Sequence, residues 1–157
     1  MGQAFITVIV GVLVFIIGQI LVRFFVEPAH EQLKTIGKTF FSLTYYANIY
    51  TSPGSGTPEV LDKAADAIRA NASELKGTTH AIRLYRLWEG MGLLPIKNNV
   101  EEAIGLLFII SNQIYLPYGV KTDELGHGRS NKEDSNKIMN LLKERKHIFK
   151  KGKIESK

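Results

Sequence analysis

The sequence predicts an all-α protein, in which an N-terminal transmembrane helix is followed by a small cytoplasmic helical bundle. Three observations predict it. The first 22 residues carry no charged side chain, and all 20 Lys and Arg lie at Arg23 or later. Beyond that point apolar residues recur every three or four positions, the rhythm of amphipathic helices. No segment alternates convincingly as a strand does, and no internal repeat is visible.

The first element is the apolar run from Ala4 to Val22, interrupted only by the polar Thr7 and Gln19. At about 1.5 Å per residue a helix of this length spans roughly 28 Å, close to a bilayer's hydrocarbon core. A cleaved signal is disfavoured, since no basic stretch precedes the run and Arg23, Phe24 and Phe25 stand where a small-residue cleavage site would be. Arg23, Lys34 and Lys38 flank one end only, which predicts an outward N-terminus and a cytoplasmic remainder. Pro28 would clash with the carbonyl of Phe24 in an unbroken α-helix, so a kink or a fresh start is expected at the membrane exit. Ala4, Thr7, Gly11, Val14 and Gly18 share one face. A face of small residues lets membrane helices approach closely, although glycine is also simply common in such helices. Gln19 would bridge copies or sit at the interface.

The next helix is expected from Pro28 to Tyr50, with Leu33, Ile36, Phe40, Leu43, Ala47 and Tyr50 along one face. "TSPGSGTP" breaks it. Thr57, Pro58 and Glu59 signal a new start, a cap and then a first-turn proline. Its face is Leu61, Ala64, Ile68, Ala72 and Leu75, and it ends at Gly77 or continues to about Trp88. "EGMGLLP" reads as a loop. Asn99 with Glu102 resembles a capping box opening a helix from Val100 to about Tyr115, apolar nearly all round and therefore the core helix. Pro117 and Gly119 close it, and "GVKTDELGHGRSN" follows as an exposed loop. Ser130 with Glu133 starts a last helix carrying Ile138, Leu141, Leu142, Arg145, Ile148 and Phe149. The division expected is a transmembrane anchor over 1–27, a cytoplasmic bundle over 28–150 and an unfolded basic tail over 151–157.

"VEPAHEQLKTIGKTFFSLTYYANIYTSPG", with "SELKGTTHAI", "MGLLP" and "NNVEEAIGLL", resembles a set of small bacterial proteins with one N-terminal membrane helix, a short helical cytoplasmic region and no assigned activity. The resemblance covers most of the chain and implies a bacterial inner-membrane location. It carries no catalytic motif.

Few residues point to chemistry. Cysteine is absent, which removes disulfides, thiolate nucleophiles and cysteine metal sites. Among His30, His80, His127 and His147 no pair has zinc spacing. Asp123, Glu124 and His127 read better as a solvated loop than as ligands of a divalent ion. "SPGSGTPE" lacks the preceding strand and the Gly-Lys-Ser/Thr of a phosphate loop. Phe40, Phe41, Tyr45, Tyr46 and Tyr50 have the spacing of core packing rather than of a ligand platform. Asn48 among them would need a partner if buried. His80, Arg83 and Arg86 form the candidate anion-binding group, set against the plainer reading of a basic helix face with Ile82, Tyr85 and Trp88 or Met91 inward. No serine elbow or placed acid pair appears, so no catalytic residue, metal or cofactor is assigned.

The basic C-terminal segment "KIMNLLKERKHIFKKGKIESK" is read first as a solvated helix, then as a contact for anionic lipid, with nucleic acid last. The partners expected are the lipid bilayer and a second copy or another membrane subunit. The function expected is a non-enzymatic, membrane-anchored interaction or scaffold protein. The alternative is a sensor or effector whose bundle binds an anionic ligand and changes oligomeric state.

Overall fold

The computed structural model describes residues 2–116 and 130–145. Pro117, Gly119, the Asp123–Glu124–His127 group, His147, Ile148, Phe149 and the tail over 151–157 lie outside them.

Helix α1 runs from Gly2 to Leu21 and leads through one π-helical turn, Val22–Val26, into α2, Glu27–Tyr45. No loop separates the three. A proline ring clashes with the carbonyl four residues back, and a wider turn just ahead of it relieves that clash. The turn closes with the Glu27 N–H on the Val22 carbonyl, and Pro28 follows in the first turn of α2. The chain thus widens by one turn at the site where a kink or a new start was expected.

The expected helix to Tyr50 is divided. Tyr46 leaves helical geometry (φ −95°, ψ 16°) and α3, Ala47–Thr51, resumes beyond it. Helix α4 covers Pro58–Ala81, with Gly77 inside. It stops because Ile82 is extended and Leu84 is left-handed (φ 58°), after which the short α5 spans Tyr85–Gly90. Helices α6, Lys97–Gln113, and α7, Asn131–Lys143, complete the described chain. No strand forms among the described residues, and a single isolated bridge joins Pro95 to Arg145.

The three expected caps fare differently: Thr57 stands at the N-cap position of α4 ahead of Pro58, but its hydroxyl makes no capping hydrogen bond. At α7 the Ser130 hydroxyl accepts from the Glu133 N–H and the Glu133 carboxylate accepts from the Ser130 N–H, the full reciprocal box. At α6 the expected Asn99–Glu102 box is absent. The helix starts at Lys97, and Asn99 instead donates to Glu144 Oε2 at 2.8 Å while Glu102 pairs with Lys137. The reason is tertiary. Buried Glu89 on α5 accepts from the Lys97 N–H at 3.3 Å, so a carboxylate from another element meets the exposed donors of the helix start. Arg145 likewise leaves the helix it was expected to continue, because α7 ends at Lys143 and Arg145 turns onto Pro95.

Helices α2, α4, α6 and α7 pack antiparallel in sequence. The pairs Gln32–Thr79 and Ser42–Asn71 join α2 to α4, Arg69–Asn112 and Asp62–Tyr115 join α4 to α6, and Asn99–Glu144 and Lys137–Glu102 join α6 to α7. Helix α6 is the centre, burying Val100, Ala103, Leu107 and Ile110, with Ile114 just past its end, against α4 and α7. The two ends of the bundle differ. At the end where α2 follows α1 lie the end of α4, all of α5, the start of α6 and the end of α7. Tyr50, the turn after it and the start of α7 make the far end.

Alanine at Gly77 should raise stability by about 0.5–1 kcal/mol, because glycine in a helix interior loses more backbone freedom on folding than alanine does. A Cβ there meets nothing within 4 Å, so no clash offsets the gain. Thermal unfolding followed by far-ultraviolet circular dichroism checks this, and an unchanged or lower midpoint would count against the helix passing through Gly77.

Candidate functional site

On α1 Thr7, Gly11 and Gly18 stand in the open. A Cβ built at Gly11 or at Gly18 meets nothing within 4 Å, and Thr7 satisfies its hydroxyl internally on the Gln3 carbonyl. Val14 is exposed, as is Gln19. Ala4 lies within the same helix. The whole segment is one helix long and apolar enough to cross a membrane, and none of its most apolar stretch is buried by the rest of the chain.

His80, Arg83 and Arg86 fall on three elements: the last turn of α4, the turn after it, and α5. All three are exposed. Only Arg86 lines the cleft of about 900 Å³ between α5 and the start of α6. Its other charged lining residues are Lys97, Glu89 and Glu101. The cleft therefore carries two carboxylates for two cations. The buried Glu89 carboxylate already occupies the α6 N-terminus where an anion would otherwise be held.

The polar chemistry of the interior lies elsewhere, along the α2–α4 contact. Gln32 is completely buried, and its Nε2 donates to Thr79 Oγ1 at 2.9 Å and to Tyr85 Oη at 3.1 Å. Each hydroxyl passes its own hydrogen on, Thr79 to the Leu75 carbonyl and Tyr85 to the Pro95 carbonyl. Both hydroxyls are committed as donors, so Gln32 must present its amide hydrogens to them, and its Oε1 is left without a hydrogen bond. Burial, more than any neighbouring charge, pushes the Tyr85 hydroxyl up to about 12, so it stays a neutral donor at ordinary pH. Further along, Thr35 and Lys38 reach Glu74, and Asn71 donates to Ser42 Oγ at 2.7 Å. The Lys38 ammonium, 2.6 Å away, holds the Glu74 carboxyl below its ordinary range. These groups fix the register of α2 on α4, and of them Tyr85 also lines the cleft that holds Arg86, Glu89, Lys97 and Glu101.

Sequence reasoning missed this ladder because it placed Leu33 inward. The structure turns Gln32 in and leaves Leu33 40% exposed. The signal was present: Gln32, Thr35, Thr39 and Ser42 repeat at three and four residues beside the apolar Ala29, Ile36, Leu43 and Tyr50, which stand seven apart. The aromatic group also divides. Tyr50 is buried, donating to the Leu43 carbonyl and accepting from Ser135, whereas Phe41 and Tyr45 stack on each other (centroids 5.6 Å apart) with about two-thirds of their surface exposed. Asn48 is exposed and needs no internal partner. Ile82 and Tyr85 are buried and Trp88 is partly so, but Met91 points outward with Leu84, Leu87 and Leu93. Among the described residues, no group of three or more His, Asp or Glu is placed to hold a metal. Compared with family models, with curated proteins and with solved structures, the chain matches none.

Proposed function

We propose that the chain is a single-pass protein of the bacterial inner membrane, N-terminus outside, whose cytoplasmic bundle serves as an interaction module or subunit of a membrane assembly. It works by packing surfaces together rather than by making bonds. The observation that carries this reading is the unbroken passage from α1 through the π turn into α2. A membrane helix joined to the bundle without a linker transmits its own pairing to the bundle, so assembly in the bilayer and presentation in the cytoplasm become one event. Two surfaces supply the contacts: the exposed Thr7, Gly11 and Gly18, whose spacing Ala4 continues, within the membrane, and the stacked, exposed Phe41 and Tyr45 on α2 outside it. The last described residue, Arg145, lies on Pro95 at the α1 end of the bundle, which favours contact between the basic segment after it and anionic lipid. An anionic ligand at His80, Arg83 and Arg86 is the less supported alternative, given the carboxylates that share the cleft with Arg86.

The test is the assembly state of the full chain in mild detergent. Gly11→Leu together with Gly18→Leu should weaken self-association or subunit association roughly 10- to 100-fold, as overpacking a close helix contact costs about 1–3 kcal/mol. Light-scattering mass after size exclusion reads the outcome. Because neither position touches the rest of its own chain, a loss of assembly cannot come from misfolding of the monomer. An unchanged mass in the variant would remove the small face from the mechanism.

A further inference from the structure

We propose that the connector 82–95 seats the bundle on the same bilayer that holds α1. Leu84, Leu87, Met91 and Leu93 enter the boundary between headgroups and acyl chains, and Arg83 and Arg86 meet headgroup phosphates. This rests on the membrane-anchored reading above and adds a second, in-plane contact to it.

Position comes first. Ala29, in the first turn of α2, is buried in a small cluster with Ile82, Tyr85, Leu94 and part of Trp88, separate from the main core. It lies three residues past Val26, about 5 Å of helix rise, and seven past Val22, about 10 Å. The polar band outside the hydrocarbon is roughly 5–8 Å deep on each side of a bilayer. A connector packed around Ala29 therefore hangs at the level of the headgroups.

Surface chemistry agrees with that position. Leu84, Leu87, Met91 and Leu93 are each about half exposed or more. Four large apolar side chains within ten residues exceed the scatter of single apolar residues normal on a soluble surface. Leu84 is held at φ 58°, a left-handed conformation that costs a leucine roughly 1–2 kcal/mol and glycine almost nothing. A turn alone would favour glycine or asparagine there, whereas a leucine at 61% exposure presents an apolar side chain outward. The charges sort in the same sense. The acid of this connector, Glu89, is buried against the start of α6, while Arg83 and Arg86 are exposed. The exposed side chains of 82–95 are thus apolar groups and cations, the pairing that binds an anionic leaflet, and the nearby exposed acid, Glu101, belongs to α6 and shares the cleft with Arg86 and Lys97. Tethering by α1 keeps the lipid at high effective concentration, which favours the bilayer over a soluble partner for this surface.

The chain has no cysteine, so single cysteines can carry nitroxide labels without further change. Labels at Leu87 and Leu93 are compared with one at Phe15 in the anchor and one at Tyr45, about 24 Å of helix beyond Ala29. The full chain is reconstituted in vesicles of phosphatidylethanolamine and phosphatidylglycerol. Collision of the labels with oxygen and with a water-soluble nickel chelate is then measured by electron paramagnetic resonance. The expected result is several-fold greater relative oxygen access at positions 87 and 93 than at 45, with 15 deeper still. Arg83→Glu with Arg86→Glu should return the label at 87 several-fold toward the nickel reagent. Labels at 87 and 93 that match 45 while 15 stays deep would overturn the docking and leave the anchor standing. Shielding from both reagents would also overturn it, as the mark of a covering protein. A label at 15 open to nickel would instead remove the membrane reading itself.

Discussion

Ile110→Ala should destabilise the bundle by about 2–5 kcal/mol, while Leu33→Ala should change it by no more than about 0.5 kcal/mol. Ile110 is fully buried in the middle of α6, the helix that both α4 and α7 pack against. Truncation there removes buried methyl groups and leaves a cavity that three rigid helices close only in part. For a bundle of this size the loss corresponds to a fall of roughly 10 °C or more in unfolding midpoint. Leu33 sits on a helix pattern that the sequence alone would place inward, yet it is 40% exposed. Its truncation exposes no core. The comparison is made by thermal unfolding of the two variants in the same detergent. Similar losses would mean that α2 is rotated by about one residue, with Leu33 rather than Gln32 turned inward.

That contrast locates what could be read from the chain and what could not. The boundaries set by local chemistry were legible. Thr57 takes the N-cap position of α4 with Pro58 in the first turn, although its hydroxyl caps no backbone N–H, and Ser130 with Glu133 makes the reciprocal cap of α7, because all the atoms involved lie within four residues. Helix α6 was legible as the core helix because its apolar residues leave almost no polar face. What escaped were features decided across the fold. Asn99 has the chemistry of a cap but not the position, since Glu89 arrives from α5 to take that role. Gln32 looks like a surface residue until Thr79 and Tyr85 are brought to it from 47 and 53 residues away. The break after Ala81 depends on Leu84 accepting a left-handed backbone, which no propensity favours. The candidate surfaces follow the same division. The small face of α1 is a matter of spacing and was visible in the sequence. The apolar connector was not, because half of its apolar residues turn inward to Ala29 and half turn out, and only the fold separates them.

Placing arginine at both Leu13 and Ile17 should release the full chain from the membrane fraction. The two positions lie one turn apart near the middle of α1 and are about half exposed, so neither side chain supports the bundle. On insertion scales a single arginine at a helix centre costs about 2.5–3.5 kcal/mol. Two on one face cost roughly 5–7 kcal/mol, which shifts the partition by some 10³- to 10⁵-fold. Snorkelling recovers little here, since the middle of the span is farthest from either interface. The bundle should survive the change, because its core is built entirely from residues beyond the π turn. Ultracentrifugation separates the outcomes, and circular dichroism of the released chain should retain the cooperative unfolding of the parent. If the double variant pelleted with membranes as the parent does, α1 would not be what holds the chain there. The connector 82–95 or the basic segment beyond Arg145 would then have to be the principal anchor. If the parent itself stayed in the supernatant, the apolar helix would have to be covered by a partner protein rather than by lipid. The order of the measurements matters for that reason, with the parent first and the arginine pair second, because only the difference between them isolates the contribution of α1.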